Sequence, residues 1–305
     1  LNQFPSNDFE LPKSTTGASM NRRVELFGCK IDRVRMPQAV TRVFRLIHGY
    51  NGTCRYVVTP NVDHVVMLEH HEGLRRAYED ADVVLADGMP VVLASRLLGR
   101  PLPERVTGAD LTVALFDASE YRGPLRVFLL GAGPGVAEQA AAKIHARWPN
   151  VQVTGTYSPP MGFEKDSAEN EKILALIAAA SPDVLVVGLG APKQELWVHA
   201  HQHRIEAAVA LCVGATIDFL AEHKSRAPLW MQKSGLEWLH RVATEPRRLI
   251  KRYAKDAWRF PQLVYREWRR GAAPAVLPPK EIPSPQESID ESRDLARAGA
   301  AYNDE

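Results

Sequence analysis

Short β-branched runs alternate along the first three quarters of the chain with longer stretches whose apolar positions recur every three to four residues. Arg55 to Thr59, Val83 to Ala86, Val127 to Leu130, Val151 to Thr156, Val184 to Gly188 and Val209 to Val213 read as strands, each with a helical pattern before or after it. Val184 to Val187 has no polar alternation, as expected of a strand covered on both faces. The pattern predicts an α/β domain over residues 23–228, built on a mostly parallel sheet flanked by helices. From about Pro228 only helical spacing remains, which predicts a helical appendage over 229–270. Residues 1–22 lack periodicity and 271–305 are rich in Pro, Ala, Ser and acidic side chains, so both ends read as disordered tails. No repeat of solenoid period occurs.

Composition narrows the classes. With 305 residues, 45% of them hydrophobic, the chain has material for one large core or two small ones. A formal charge of +2 argues against a polyanion binder acting through its whole surface. Charge is instead local: Arg241, Arg247, Arg248, Lys251, Arg252, Lys255 and Arg259 stand among Trp238, Leu249, Tyr253, Trp258 and Phe260. Basic residues interleaved with aromatics on a helix suit an anionic bilayer, where each cation contributes about 1 kcal/mol. The same stretch could cover the α/β domain with its apolar side, bind nucleic acid, form a homo-oligomer contact or simply be solvated. No apolar run approaches the roughly 20 residues that cross a bilayer, and the polar start lacks the order of a signal peptide. Cys29, Cys54 and Cys212 are odd in number and widely spaced, without a disulfide or zinc pattern. A cytoplasmic protein, soluble or peripheral, is expected.

In an open parallel sheet ligands gather beyond the C-terminal strand ends, and here those ends are polar and glycine-rich. They carry Thr59-Pro60-Asn61, Asp87-Gly88, the run Gly131 to Gly135 including Gly133, Ser158 to Phe163, Gly188 to Glu195 with Gln194, and Gly214 to Asp218. Glycine admits a ligand close to the backbone, and a helix starting next offers free N–H groups to phosphate. A diphosphate-bearing ligand on a Rossmann-like sheet follows. NAD does not, because Val136 replaces the third glycine of the dinucleotide fingerprint and Val153 and Thr154 occupy the acidic position. Asp80-Ala81-Asp82 has the form of a metal-holding DxD pair, but it precedes its strand and so belongs to the opposite rim. His199 and His203 share a helix face, yet no carboxylate accompanies them there, which favours an exposed amphipathic helix over a metal site.

Over roughly Glu25 to Trp268 the sequence resembles the WecG/TagA/CpsF glycosyltransferases, through Thr59-Pro60-Asn61, Ala86-Asp87-Gly88, Pro103 to Gly108, Ser158-Pro159-Pro160, Gly188 to Glu195, Gly214 to Phe219 and Arg226-Ala227-Pro228. The resemblance implies inverting, metal-independent transfer from a UDP-sugar to a glycan on a polyprenyl diphosphate, with no cofactor. The sugar is then of the N-acetylmannosamine, N-acetylmannosaminuronic acid or glucose type. It assigns Asp87 as general base, Thr59, Asn61 and Gln194 to the substrate pocket, and Arg105 to the leaving diphosphate. Beside these, Gly131, Gly133, Gly188 and Asp218 are expected on the ligand rim. The resemblance also implies that Arg241, Arg247, Arg248 and Arg252 belong to a lid that docks on an anionic membrane rather than on nucleic acid, at the inner face of the cell membrane. Glu222 departs from the family pattern, standing where glycine is common.

Overall fold

Phe27 and Gly28 both take positive φ, 56° and 72°, as a two-residue hairpin turn requires. They fold β1 (Arg23–Leu26) antiparallel onto β2 (Cys29–Asp32), pairing Leu26 with Cys29 and Arg23 with Asp32. The alternating runs of the sequence did not announce this hairpin. The computed structural model describes residues 23–271, 276–278 and 280. The expected N-terminal tail, 1–22, and most of 271–305 therefore lie outside the described residues. Within that second segment a strand forms at Val276–Leu277 and pairs antiparallel with β1, so the expectation of a disordered tail does not hold there.

The main chain path runs α1 (Met36–His48), β3 (Arg55–Val58), α2 (Val62–Leu68), α3 (Glu72–Asp80), β4 (Val83–Val84), α4 (Met89–Leu97), α5 (Gly108–Arg122), β5 (Leu125–Gly131), α6 (Val136–Arg147), β6 (Val151–Tyr157), α7 (Ser167–Ala180), β7 (Val184–Gly188), α8 (Lys193–His201), β8 (Val209–Cys212) and α9 (Thr216–Leu220). The appendage comprises α10 (Leu229–Ser234), α11 (Glu237–Thr244) and α12 (Pro246–Arg269), and Val276–Leu277 is β9. All six expected strands are present, paired in parallel in the order β4-β3-β8-β7-β5-β6.

The alternation of the strands builds two cores. Val184 and Val186 of β7 face one with Phe44 of α1, Phe116 of α5 and Ile144 of α6. Leu185 and Val187 face the other with Val66 of α2, Leu74 of α3, Ile173 of α7 and Trp197 of α8. Since both faces of the sheet are covered at its centre, β7 and β8 read as unbroken apolar runs. The hairpin closes the second core with Val24, Leu26 and Ile31, and α12 adds Phe260 and Leu263. The appendage is therefore seated on the α/β domain rather than projecting from it. Arg100 donates to Glu267 of α12 at 2.7 Å, and Phe27 and Phe260 meet with ring centroids 5.4 Å apart.

The rim at the N-terminal ends of the strands is stapled by carboxylates. Asp32, fully buried, receives Arg23 at 3.1 Å, Arg42, and the backbone N–H of Val84 at 2.8 Å. Asp82 accepts the N–H of Tyr56 at 3.0 Å and lies 3.4 Å from Arg55. Asp80 contacts His199 of α8 at 2.8 Å. The DxD pair thus sits at the rim expected, with structural partners, and the histidine helix does find a carboxylate, supplied by α3. No group of three or more His, Cys, Asp or Glu among the described residues is arranged to hold a metal ion. All three thiols are free and buried, and burial pushes that of Cys29 up to about 12.

Candidate active site

Opposite that staple, a cavity of about 440 Å³ opens where β3, β4, β7 and β8 end. Its floor comes from the turns after these strands and its roof from α11 and α12. The size suits one small-molecule ligand. Thr59, Asn61, Asp87, Arg105 and Gln194 all line it, so the tertiary fold assembles the five polar residues expected there from four separate chain segments.

Each is held differently. Thr59 is buried and donates to the carbonyl of Cys212 at 3.4 Å, joining the ends of β3 and β8. Asn61 caps α2: its carboxamide oxygen accepts the N–H of Asp63 at 3.0 Å and lies 2.8 Å from His64 Nδ1, leaving the NH₂ for a ligand. Gln194 donates to Glu195 at 2.8 Å and accepts from the N–H of Gly214 at 3.1 Å, so it ties the turn after β7 to the turn after β8. Beneath it Glu195 is completely buried, with Oε1 3.4 Å from His64 Nε2 and Oε2 unpartnered among the described residues. The Glu195 carboxylate counteracts the effect of burial on His64 and holds its imidazole above the usual pKa.

Asp87 is placed by its backbone. Its N–H donates to Pro60 at 2.9 Å, and Gly88 begins α4 with no side-chain cap, so Asp87 is not spent as an N-cap. No group among the described residues hydrogen-bonds its carboxylate. Burial, together with Glu237 and Asp110, raises its pKa to about 6 against the pull of Arg105 and Arg241. At neutral pH it is mostly ionised and still basic, as a general base requires.

The cations around it are unequal. Arg105 contacts Glu237 at 3.0 Å and Asp110 at 3.9 Å, while Arg226, almost wholly buried, reaches Asp110 at 2.5 Å and the other oxygen of Glu237 at 3.3 Å. The pair of arginines clamps Glu237 and thereby fixes α11 over the cavity. Arg241 lines the cavity with no ion pair among the described residues. Arg252 also turns inward, 3.5 Å from Asp63. Of the four arginines expected in a docking lid, then, Arg241 and Arg252 face the site and Arg247 faces solvent, while the side chain of Arg248 lies outside the described residues.

Gly131, Gly133, Gly188 and Asp218 do not line the cavity. A Cβ on Gly131 would stand 2.6 Å from the carbonyl of Gly188, and one on Gly188 would stand 2.9 Å from that of Gly214. Two of these glycines therefore let adjacent strand ends approach each other. Asp218 lies 3.8 Å from Lys224.

These positions carry a known pattern. A family model described as glycosyl transferase WecG/TagA/CpsF matches residues 24–274. The chain belongs to that family. Among its relatives is a protein of Bacillus spizizenii, 33% identical over 193 residues, which cover 63% of this chain and 72% of the relative. Another, from Staphylococcus aureus, is 29% identical over 231 residues, covering 76% of this chain and 88% of the relative. Both are called N-acetylglucosaminyldiphosphoundecaprenol N-acetyl-beta-D-mannosaminyltransferase. The protein is a glycosyltransferase of the WecG/TagA/CpsF type.

The site also holds groups that the motifs do not point to, His64, Glu237 and Asp256, and Tyr253, which the sequence places only among the aromatics of the basic helix. One signal is present for Asp256. Leu249, Asp256, Phe260, Leu263 and Glu267 recur at helical spacing and are all buried, so two acids interrupt an apolar stripe.

Proposed function

We propose that this glycosyltransferase moves an N-acetylmannosaminyl-type sugar from UDP to a polyprenyl-diphosphate-linked acceptor, with inversion and without a metal ion, at an anionic membrane surface. The observation that carries the reading is the Asp87 carboxylate: without a hydrogen bond among the described residues, poised near neutrality and flanked by two arginines in a cavity of substrate size. In the proposed step the acceptor hydroxyl oxygen forms a bond to the anomeric carbon as the bond from that carbon to the UDP oxygen breaks on the opposite face. Asp87 takes the hydroxyl proton, and the departing diphosphate keeps the bonding electrons. Arg241 and Arg105 offset its growing charge, the role a divalent cation plays elsewhere. Thr59 and Asn61 orient sugar hydroxyls, and Gln194 sets the distance between the two turns that flank them.

The names of the relatives supply the lipid-linked N-acetylglucosamine acceptor and the transferred sugar for this proposal. The membrane component draws on the outer surface of the appendage. There Trp230, Ile250, Trp258, Tyr265 and Trp268 are exposed beside Arg247, Lys251 and Lys255, and no described helix is long and apolar enough to cross a bilayer. Aromatic rings with nearby cations suit the headgroup layer.

UDP release measured with donor and polyprenyl acceptor together, and with each alone, tests the reading. Release needing both, unaffected by a chelator and lost in Asp87→Asn, is expected. Full turnover by Asp87→Asn would remove Asp87 from the mechanism. Flotation with vesicles containing anionic lipid, weakened by salt, is expected for the docking surface, and equal flotation with purely zwitterionic vesicles would count against it.

A further inference from the structure

We propose that Arg252 and Asp256 of α12 form a subsite for the acetamido group of one of the two sugars in the transfer. The proposal rests on the reading of the cavity as a sugar-transfer centre.

Two acids interrupt the buried stripe of α12, and their fates differ. Glu267 receives Arg100 at 2.7 Å, which explains its burial. Asp256 is only 3% exposed, and its Oδ2 has no hydrogen-bond partner among the described residues. One turn earlier on the same helix, Arg252 points a terminal nitrogen at Asp63, but its Nε is buried and also unpartnered. Residues four apart on a helix are neighbours, so an orphan acceptor and an orphan donor stand side by side. Both residues line the cavity that contains Asp87.

Buried polar groups are left unsatisfied at a cost unless a ligand completes them. The ligand group that completes this pair must donate once and accept once within a short span. An anion does not qualify, because Asp63 and Asp256 both face it. A secondary amide does: its N–H reaches Asp256 Oδ2 and its carbonyl oxygen accepts from Arg252 Nε. Ala257, Phe260 and Pro261 line the cavity on the following turn and give a methyl group an apolar wall. An N-acetyl substituent combines all three features. A lone hydroxyl at the same carbon offers the donor and acceptor on one atom and nothing to the apolar wall. Donor and acceptor sugars are both possible owners of this group, and kinetics can tell them apart.

The test compares kcat/KM for acetamido and hydroxyl versions of the UDP-sugar, with the acceptor constant, and then for acetamido and hydroxyl versions of the acceptor sugar, with the donor constant. Wild-type enzyme is expected to favour the acetamido version in the arm whose sugar occupies α12. Asp256→Ala is expected to shrink that preference by about tenfold or more, in that arm only, with UDP affinity measured by thermal shift left unchanged. Asp256→Asn, which keeps the shape of the side chain, and Arg252→Lys, which keeps the charge facing Asp63, are expected to shrink it less and serve if the alanine variant does not fold. Unchanged preference ratios in both arms would overturn the subsite, as would a variant that weakens UDP and both sugars alike. Absence of UDP binding and of transfer by the wild-type enzyme would instead refute the transfer reading, and the subsite with it.

Discussion

Asp82 and Asp87 lie five residues apart, at opposite ends of β4, and the two rims treat the same side chain in opposite ways. At the N-terminal rim Asp82 accepts a backbone N–H and neighbours Arg55, and Asp32 beside it takes two arginines and another N–H. Every lone pair there has a reason to stay where it is. At the C-terminal rim Asp87 has no hydrogen-bond donor among the described residues, and Asp256 leaves an oxygen unpartnered. Burial raises both of these carboxyls to about 6. A satisfied carboxylate locks the fold, whereas an unsatisfied one keeps its capacity for a substrate at some expense to stability.

Substituting across the two rims puts this contrast under strain. The largest effect on turnover belongs to Asp87→Asn, expected to lower kcat by about 10²–10⁴-fold, the usual worth of a general base. The same change is expected to raise the melting temperature at neutral pH. The folded-state pKa of Asp87 lies above that of the unfolded chain, so its contribution to stability is present at low pH and lost as pH rises through about 6. The gain in melting temperature should therefore be clear at about pH 8 and should narrow at about pH 5, a pattern that calorimetry at the two pH values can read. A variant destabilised at about pH 8 would place Asp87 with the structural carboxylates.

The largest effect on stability belongs to the other rim. Asp32→Ala strands Arg23, Arg42 and the N–H of Val84, and is expected to cost about 3–5 kcal/mol in denaturant unfolding. A loss below about 1 kcal/mol would show that the staple is dispensable. Next in size is the acid limb of the rate profile. Because Asp87 must be ionised to accept a proton, kcat/KM is expected to fall as pH drops through about 6, and a limb near the ordinary carboxyl value would mean the acids around it do not act as described. The smallest effect concerns Glu222, which takes φ 54° and pairs with Lys143. Glu222→Gly relieves a left-handed residue but removes an exposed ion pair, so its stability should stay within about 1 kcal/mol of the parent, on the favourable side. The left-handed conformation is thus kept here by a residue that tolerates it at some strain.

Much of the architecture is legible in the sequence. The central strands follow from apolar runs, because a strand buried on both faces leaves an unbroken local record, and the edge strand Val151–Tyr157, only partly buried, follows from its β-branched residues. Asp87, Thr59, Asn61 and Gln194 stand out because each lies just past a strand end, whereas Arg105, between α4 and α5, follows only from the family resemblance. The β1–β2 hairpin escapes because Arg23–Leu26 and Cys29–Asp32 interleave charged with apolar residues and leave no unbroken apolar run, and β9 escapes because its pairing partner is more than 240 residues away by the register Val24 to Val276. The glycines at 131 and 188 were read toward a ligand, although the neighbouring strand ends already require them.

The basic helix shows the boundary most clearly. The spacing of its apolar residues sufficed to say that α12 has one face to bury and one to expose, since that depends only on 3.6 residues per turn. It did not say what the buried face meets. Arg252 and Asp256 became cavity residues, and Trp258 and Trp268 surface ones, only when α12 docked on α2 and the hairpin. Whether a charge is structural, catalytic or solvated depends on the partners that long-range packing brings within a few ångströms, and those partners are distant in the chain. Periodicity therefore determined the strands, the rim and the faces of the helices, while the tertiary structure alone decided which carboxylates found donors and which were left for a substrate.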